Sequence, residues 1–267
     1  MNAGAGTSPP ARILVTGGSR GIGFEVARDL ASAGHRLWLV ATTEKIRGVA
    51  HALGPQHRAT PVNVAEPESV AALFREIGEA WQGLDAVIHS AAELGEAKNF
   101  WKLDPEGFAS TLRVNTAGTF FIARAFVQLW LATSHSAGLR RGKIILFAGG
   151  GAAYGYPNFL PYGTSKAAVV RMCETMAMEL AAADLPIDIN IIAPGANETA
   201  MLAAVRAAGG EVRTVVPFSK PIALCRWLQS SDSDGISGRF IHVNDPYLLL
   251  SPASLPPEAL KLRRIDL

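Results

Sequence analysis

The chain has 267 residues, 49% of them hydrophobic, and a formal net charge of +2. That is enough apolar matter for one large core, and the near-balanced charge, without long blocks of one sign, excludes a nucleic-acid groove or an acidic membrane surface as the expected partner. No apolar run reaches bilayer length, the start lacks the apolar stretch of a signal peptide, and Cys173 and Cys225 sit far apart in apolar patterns without metal-ligand spacing. A cytoplasmic, metal-free protein with reduced core cysteines is expected.

The first apolar run predicts a strand over 12–16, and a helix over 21–33 ends at Gly34. Between them lies Thr16-Gly17-Gly18-Ser19-Arg20-Gly21-Ile22-Gly23. A glycine turn in that position has meaning as a phosphate site. The glycines let the backbone approach a pyrophosphate, while free amides and the positive end of the helix dipole face the anion. The next strand, Leu37-Trp38-Leu39-Val40, runs into Ala41-Thr42-Thr43, with no carboxylate to bind both ribose hydroxyls of NAD and repel a 2′-phosphate. Arg20, with Ser19 and Thr42, can supply charge-assisted and neutral hydrogen bonds to that phosphate, which favours NADP(H) over NAD(H). The competing reading of Arg20 is a solvated loop arginine, with Glu44 close by.

A third strand over 59–64 ends in Asn63-Val64, where an amide can hold an adenine edge, and Pro67 opens a helix over 67–81. Leu84 to Ala92 reads as a buried parallel strand running into Ser90 and Ala91, small enough to admit a cofactor. His89 reads as a packing or satisfied histidine, because nothing nearby is spaced to orient it as a base. A helix over 105–133 carries Asn115, and a strand over 143–148 leads into the flexible run Gly149 to Ala153. Tyr162 and Lys166 then fall four apart on a helix reaching about residue 183, so both lie on one face. A strand over 187–192 precedes Pro194-Gly195. The irregular segment 196–217 reads as a lid, and a helix over 219–230 and a strand over 239–243 complete the pattern.

Seven strands alternating with helices predict an α/β fold: a single Rossmann-type, doubly wound parallel sheet with helices on both faces. Residues 1–11 read as a flexible start, 12–244 as one NADP-binding catalytic domain, and 245–267 as a tail packing on the domain or a subunit neighbour. The Tyr-x-x-x-Lys pair has its own chemical reading. A phenol with a reference pKa near 10 exchanges protons poorly at neutral pH unless an ammonium one turn away stabilises its phenolate. Tyr162 can then exchange a proton with a substrate oxygen while a cofactor moves hydride at the adjacent carbon.

With its motifs in this order, the sequence resembles the short-chain dehydrogenase/reductase family, in the branch whose loop is TGxxxGxG. The resemblance runs from Thr16 to Gly23, through Asn63-Val64, His89-Ser90-Ala91-Ala92, Asn115, Tyr162 and Lys166, to Pro194-Gly195 and Thr199. It implies that Tyr162 is the general acid/base and that Lys166 tunes it and binds the nicotinamide ribose. Asn115 would hold a relay water, and Thr199 would bind the carboxamide. The Ser19, Arg20 and Thr42 arrangement is similar to that of NADP-dependent acyl-carrier-protein ketoreductases.

One departure is pronounced. The family places a serine thirteen residues before the tyrosine, and here that position is Gly149, with no hydroxyl side chain from Phe147 to Ala153. Loss of one such donor typically lowers a rate by about 10²–10³. Three readings follow: an active reductase whose donor is replaced by Tyr154, Asn158 or a hydroxyl of the substrate itself; a redox-inactive NADP-binding regulator; or a non-redox cyclase, epimerase or dehydratase. Glu93, Leu94, Tyr154, Tyr156, Phe159 and Met201 are candidate walls for an aromatic or polyketide-like ketone. The ending around Asn244-Asp245-Pro246-Tyr247 and Leu262 to Ile265 is similar to tails of family members near nucleotide-sugar pathways, which points instead to a sugar. The resemblance also implies a homodimer or homotetramer, built on the helices that carry Asn115 and Tyr162.

Overall fold

Each apolar run becomes a strand because a parallel sheet covered on both faces buries both sides of every strand. The computed structural model describes residues 10–137, 141–212 and 215–263. The expected flexible start up to residue 9, the last four residues and two lid positions, 213 and 214, lie outside the described residues. The strands are β1 (Arg12–Thr16), β2 (Arg36–Ala41), β3 (Arg58–Pro61), β4 (Ala86–His89), β5 (Gly142–Phe147), β6 (Ile187–Ala193) and β7 (Arg239–His242). All pair in parallel, in the order β3-β2-β1-β4-β5-β6-β7.

The helices are α1 (Gly21–Ser32), α2 (Lys45–Leu53), α3 (Pro67–Trp81), α4 (Pro105–Leu112), α5 (Gly118–Ala137), α6 (Leu160–Ala182), α7 (Ala200–Ala207) and α8 (Ser219–Gln229). Alternate strand residues point to opposite faces. Leu14, Val87, Ile144 and Leu146 therefore pack with Phe74, Phe126 and Val170 from α3, α5 and α6. Ile13, Val15, Ile88 and Ile145 face the other way, onto Val26, Leu30, Ile46 and Leu224 of α1, α2 and α8. Burying each such leucine or isoleucine stabilises by about 1.5–3 kcal/mol.

The strand order reverses between β1 and β4. Ligands of open α/β sheets bind in the crevice that this reversal leaves beyond the carboxyl ends of the strands. Four loops meet there, after Thr16, His89, Phe147 and Ala193. At the opposite end, Lys143 pairs with buried Asp188 at 2.9 Å and with Asp234 at 2.7 Å, joining β5, β6 and the approach to β7. The sequence pattern did not single out this clasp.

Several elements differ from expectation. No element was expected between 43 and 58, yet α2 forms there, with Ile46 and Ala50 buried on one face. Its short length and interior Gly48 mask the helical period. Strand β3 stops at Pro61, which leaves Asn63 and Val64 in the following loop. The helix expected over 105–133 is two α-helices joined by a π-helical turn, Arg113–Ala117. The segment 196–217 is not wholly irregular, since it contains α7. Beyond β7, the Leu260 carbonyl accepts a bond from Phe240 N (2.7 Å), and Leu262 N donates to Glu174 of α6 (2.7 Å).

Candidate active site

At the end of β1 the chain turns through Gly17, whose φ of +67° suits glycine. Gly18 N donates to the Val40 carbonyl (3.2 Å), which ties the loop to β2. Arg20 occupies the N-cap of α1 without a capping side chain, so the first helical amides keep no side-chain partner. A Cβ at Gly23 would lie 2.3 Å from Ser90 Oγ and 2.5 Å from the Gly17 carbonyl oxygen. Backbone thus approaches backbone as closely as a pyrophosphate cradle requires. Thr199 lies across this cradle, its Cγ2 3.4 Å from where a Cβ of Gly21 would be, and its hydroxyl caps α7 through Leu202 N (3.2 Å).

Arg20 and Thr42 are exposed and Ser19 is half-buried. Glu44 is bonded to Arg47 at 2.9 Å, and among the described residues Arg20 makes no ion pair. Asn63 folds its Oδ1 onto Ala65 N (3.1 Å), so its free face is the amide NH₂. Val64 is buried, and its backbone packs against Gly118 at the start of α5. These residues can hold a dinucleotide carrying a 2′-phosphate: the cradle admits no side chain at Gly17 or Gly23, and exposed Arg20, without an ion pair among the described residues, stands beside it.

Tyr162 lies in the first turn of α6, with Lys166 one turn further on. Lys166 Nζ sits 5.8 Å from the Tyr162 ring centroid and donates to the Phe147 carbonyl (2.9 Å). Burial pushes Tyr162 up to about 12 and Lys166 down to about 8. The first shift corrects the expectation that Lys166 lowers the phenol. Its ammonium is turned to a carbonyl, and desolvation of the phenolate prevails. That shift favours the neutral phenol of Tyr162.

Asn115 sits in the π turn, fully buried. Its Oδ1 accepts from Glu93 N (2.9 Å), and its Nδ2 donates to the Glu93 carbonyl (2.8 Å) and to Ser165 Oγ (3.0 Å). Ser165 Oγ in turn donates to the Tyr162 carbonyl (2.8 Å). A single inserted residue in a helix is a frequent mark of a functional site, and here it lets one side chain clamp both the loop after β4 and α6. Ser165 was not anticipated, and only its place within Tyr-x-x-x-Lys could have signalled it.

Gly149 follows β5 in an extended conformation, φ −142°. A Cβ there would lie 3.5 Å from Tyr162 Oη, an ordinary contact. The structure therefore puts the glycine where a donor beside the phenol would stand. Of the two expected replacements, Tyr154 is 76% exposed, and Asn158 accepts a bond from Asn99 Nδ2 (3.0 Å) at its Oδ1, which leaves its amide NH₂ as the available donor.

Tyr156 donates to the Glu211 carbonyl (2.9 Å) beyond α7 and stacks on Phe159, with centroids 4.6 Å apart. Phe159 is thereby buried beneath Tyr156 and presents no wall face of its own. Met201 on α7 is half-buried, as are Glu93 and Leu94. The segment expected as a lid is joined at its base by the Ala196–Val215 bridge, beyond Pro194 and Gly195. There Asn197, a residue the sequence reading left without a role, donates to the carbonyls of Pro194 (3.3 Å) and Val216 (2.7 Å).

His35, His57 and His89 are all lowered by burial, His89 to about 3 with the charge of Lys166 adding to the effect. The unfolded chain takes up these protons near pH 6.5, whereas the folded chain refuses them. Stability is therefore full above about pH 6.5 and is lost as the pH falls towards 3. A urea midpoint followed from pH 7 to 4 is expected to decline, less steeply in His89→Asn; equal slopes would remove His89 from this account.

Residues 11–209 match the family model described as short chain dehydrogenase, and the chain belongs to that family of oxidoreductases. It is 29% identical over 249 residues to the 3-oxoacyl-acyl-carrier-protein reductase MabA of Mycobacterium bovis, covering 90% of this chain and 94% of that protein. It is 28% identical over 243 residues to the reductase FabG of Aquifex aeolicus, covering 86% and 94%. A short-chain dehydrogenase of Shigella flexneri, solved in complex with NADP, superposes with a TM-score of 0.77 at 26% identity, covering 87% of this chain and 96% of that one.

Proposed function

We propose that this protein is an NADP(H)-dependent ketoreductase acting on an aromatic or polyketide-like ketone, with a sugar-type ketone as the second choice. The observation that carries the reading is the Tyr162 phenol of α6, with Lys166 5.8 Å from its ring and its oxygen 3.5 Å from where a Cβ of Gly149 would lie, just beyond the end of β5. In this reading the bound cofactor supplies or accepts the hydride. Gly17, Gly21, Ile22 and Gly23 hold its pyrophosphate, and Ser19, Arg20 and Thr42 hold the 2′-phosphate. Asn63 and Val64 border the adenine. Ser90, Ala91, Pro194, Gly195 and Thr199 line the nicotinamide end, and Lys166 binds the adjoining ribose.

Tyr162 donates its proton to the substrate oxygen as charge develops there, and Asn115 keeps α6 and the Glu93 loop in register for that transfer. The similarity to 3-oxoacyl-acyl-carrier-protein reductases and to an NADP complex supports the cofactor and the direction. Without a hydroxyl at Gly149, the substrate carbonyl takes its second hydrogen bond from a neighbouring hydroxyl of its own.

Gly149→Ser tests this. The site accepts a Cβ, so the variant is expected to raise NADPH consumption with ketones lacking such a hydroxyl, by up to about 10²-fold, and to change little for ketones that have one. The same response from both classes would reject the internal-donor reading. The glycine also supports a second, non-redox reading, whose signature is substrate conversion after the cofactor is stripped.

A homodimer or homotetramer belongs to the same proposal. Phe120 and Leu131 of α5 and Met178 of α6 are 43, 49 and 70% exposed, a costly face for a lone chain. A gel-filtration mass near 28.2 kDa would reject it.

A further inference from the structure

We propose that His89 is a positioning residue of the proton path, its Nε2–H holding a buried water against Lys166 beneath Tyr162. The inference rests on the roles proposed for those two residues. His89 ends β4, in register with Thr16 of β1 on one side and Leu146 of β5 on the other. Its alternation with Val87 points it to the face covered by α5 and α6. Lys166 reaches down from α6 to the Phe147 carbonyl, one residue beyond Leu146. The imidazole thus ends the strand next to the one whose last carbonyl holds the Lys166 ammonium, on the face that α6 covers.

Hydrogen-bond accounting assigns the tautomer. Thr16 is fully buried and its Oγ1 accepts from Ala91 N (3.3 Å). A hydroxyl also has one proton to place, and the partner within reach is His89 Nδ1 at 2.8 Å. Nδ1 is therefore the acceptor, and the ring proton of the neutral imidazole resides on Nε2. That Nε2 is buried and has no protein partner among the described residues.

An unsatisfied buried N–H costs about 1–3 kcal/mol, and folded proteins relieve such groups with water. Lys166 has three N–H donors and one described acceptor, the Phe147 carbonyl. Two donors cannot bond each other, whereas a water oxygen accepts from both. When Lys166 has passed a proton towards Tyr162, a water O–H bond breaks as an N–H bond forms at Nζ. The hydroxide left behind is stabilised by the Nε2–H until a solvent proton replaces the one given up. Of the polar groups on the elements packed around it, Thr16 of β1 is bonded to the other ring nitrogen, Asn115 of the π turn and Ser165 of α6 are bonded to one another, and Lys166 and Tyr162 of α6 are the titratable ones.

The test uses the full ¹⁵N-labelled chain, with His89 assigned from its absence in His89→Asn. Long-range ¹H–¹⁵N correlation is expected to show the Nε2–H tautomer with a cross-peak to a long-lived water. The Lys166 side-chain titration, near pH 8, is expected to fall by about half a pH unit or more in His89→Leu, which removes the donor, and less in His89→Asn, which keeps one. An Nδ1–H tautomer, no water cross-peak, or one Lys166 midpoint in all three proteins would overturn the proposal. Should His89→Leu fail to fold, the tautomer and water cross-peak of the unaltered protein decide alone. These readouts need no substrate, so a failure of NADPH turnover would reject the reductase reading without touching them.

Discussion

Tyr162→Phe is expected to lower NADPH-linked ketone reduction by about 10²–10⁴-fold, the usual contribution of a positioned general acid. The phenol oxygen has no described protein partner, so its removal leaves no buried group unpaired, and the ring over Lys166 is retained. Folding and NADPH affinity should stay close to those of the unaltered protein, confining the loss to turnover. Consumption of NADPH with a panel of aromatic, polyketide-like and sugar ketones, with this variant as the blank, makes the measurement. Unchanged turnover would show that Tyr162 is not the proton donor and would move the assignment to a non-redox use of the pocket.

Gly23→Ala is expected to damage cofactor binding most among the loop glycines. Its new Cβ meets both Ser90 Oγ and the Gly17 carbonyl, and although a serine can rotate away, the Gly17 backbone cannot move without displacing the phosphate turn. Overpacking of this kind costs about 1–3 kcal/mol, and here it falls on the cradle itself. Gly18 provides the control. A Cβ there would find nothing nearer than the Val15 carbonyl at 3.4 Å, and Gly18 has no positive φ. Fluorescence titration with NADPH should separate the two variants by an order of magnitude or more in Kd, and equal affinities would reject the cradle.

The parallel sheet, the strand–glycine–helix unit, α3 from Pro67 to Trp81 and the pairing of Tyr162 with Lys166 on one helical face were legible in the sequence. Each depends on neighbours within a few residues, and local periodicity and turn chemistry carry that information. The π turn at Asn115 was not legible. One extra residue in a helix leaves little trace in the apolar pattern, and what holds this one in place is Glu93 and Ser165, 22 and 50 residues away.

The sequence by itself determined which side chains were available: a glycine loop suited to a phosphate, the Tyr162–Lys166 pair, and the absent hydroxyl at Gly149. Tertiary structure decided which of those polar atoms are free to act. Lys166 is turned to a strand-end carbonyl, and burial pushes the Tyr162 phenol up, towards its neutral form. Asn158 has its oxygen, but not its amide NH₂, engaged by Asn99, and the imidazole of His89 is bonded to Thr16, 73 residues earlier. A side chain's proton affinity and unused hydrogen-bonding capacity are set by burial and by partners distant in the chain, and no local pattern records either.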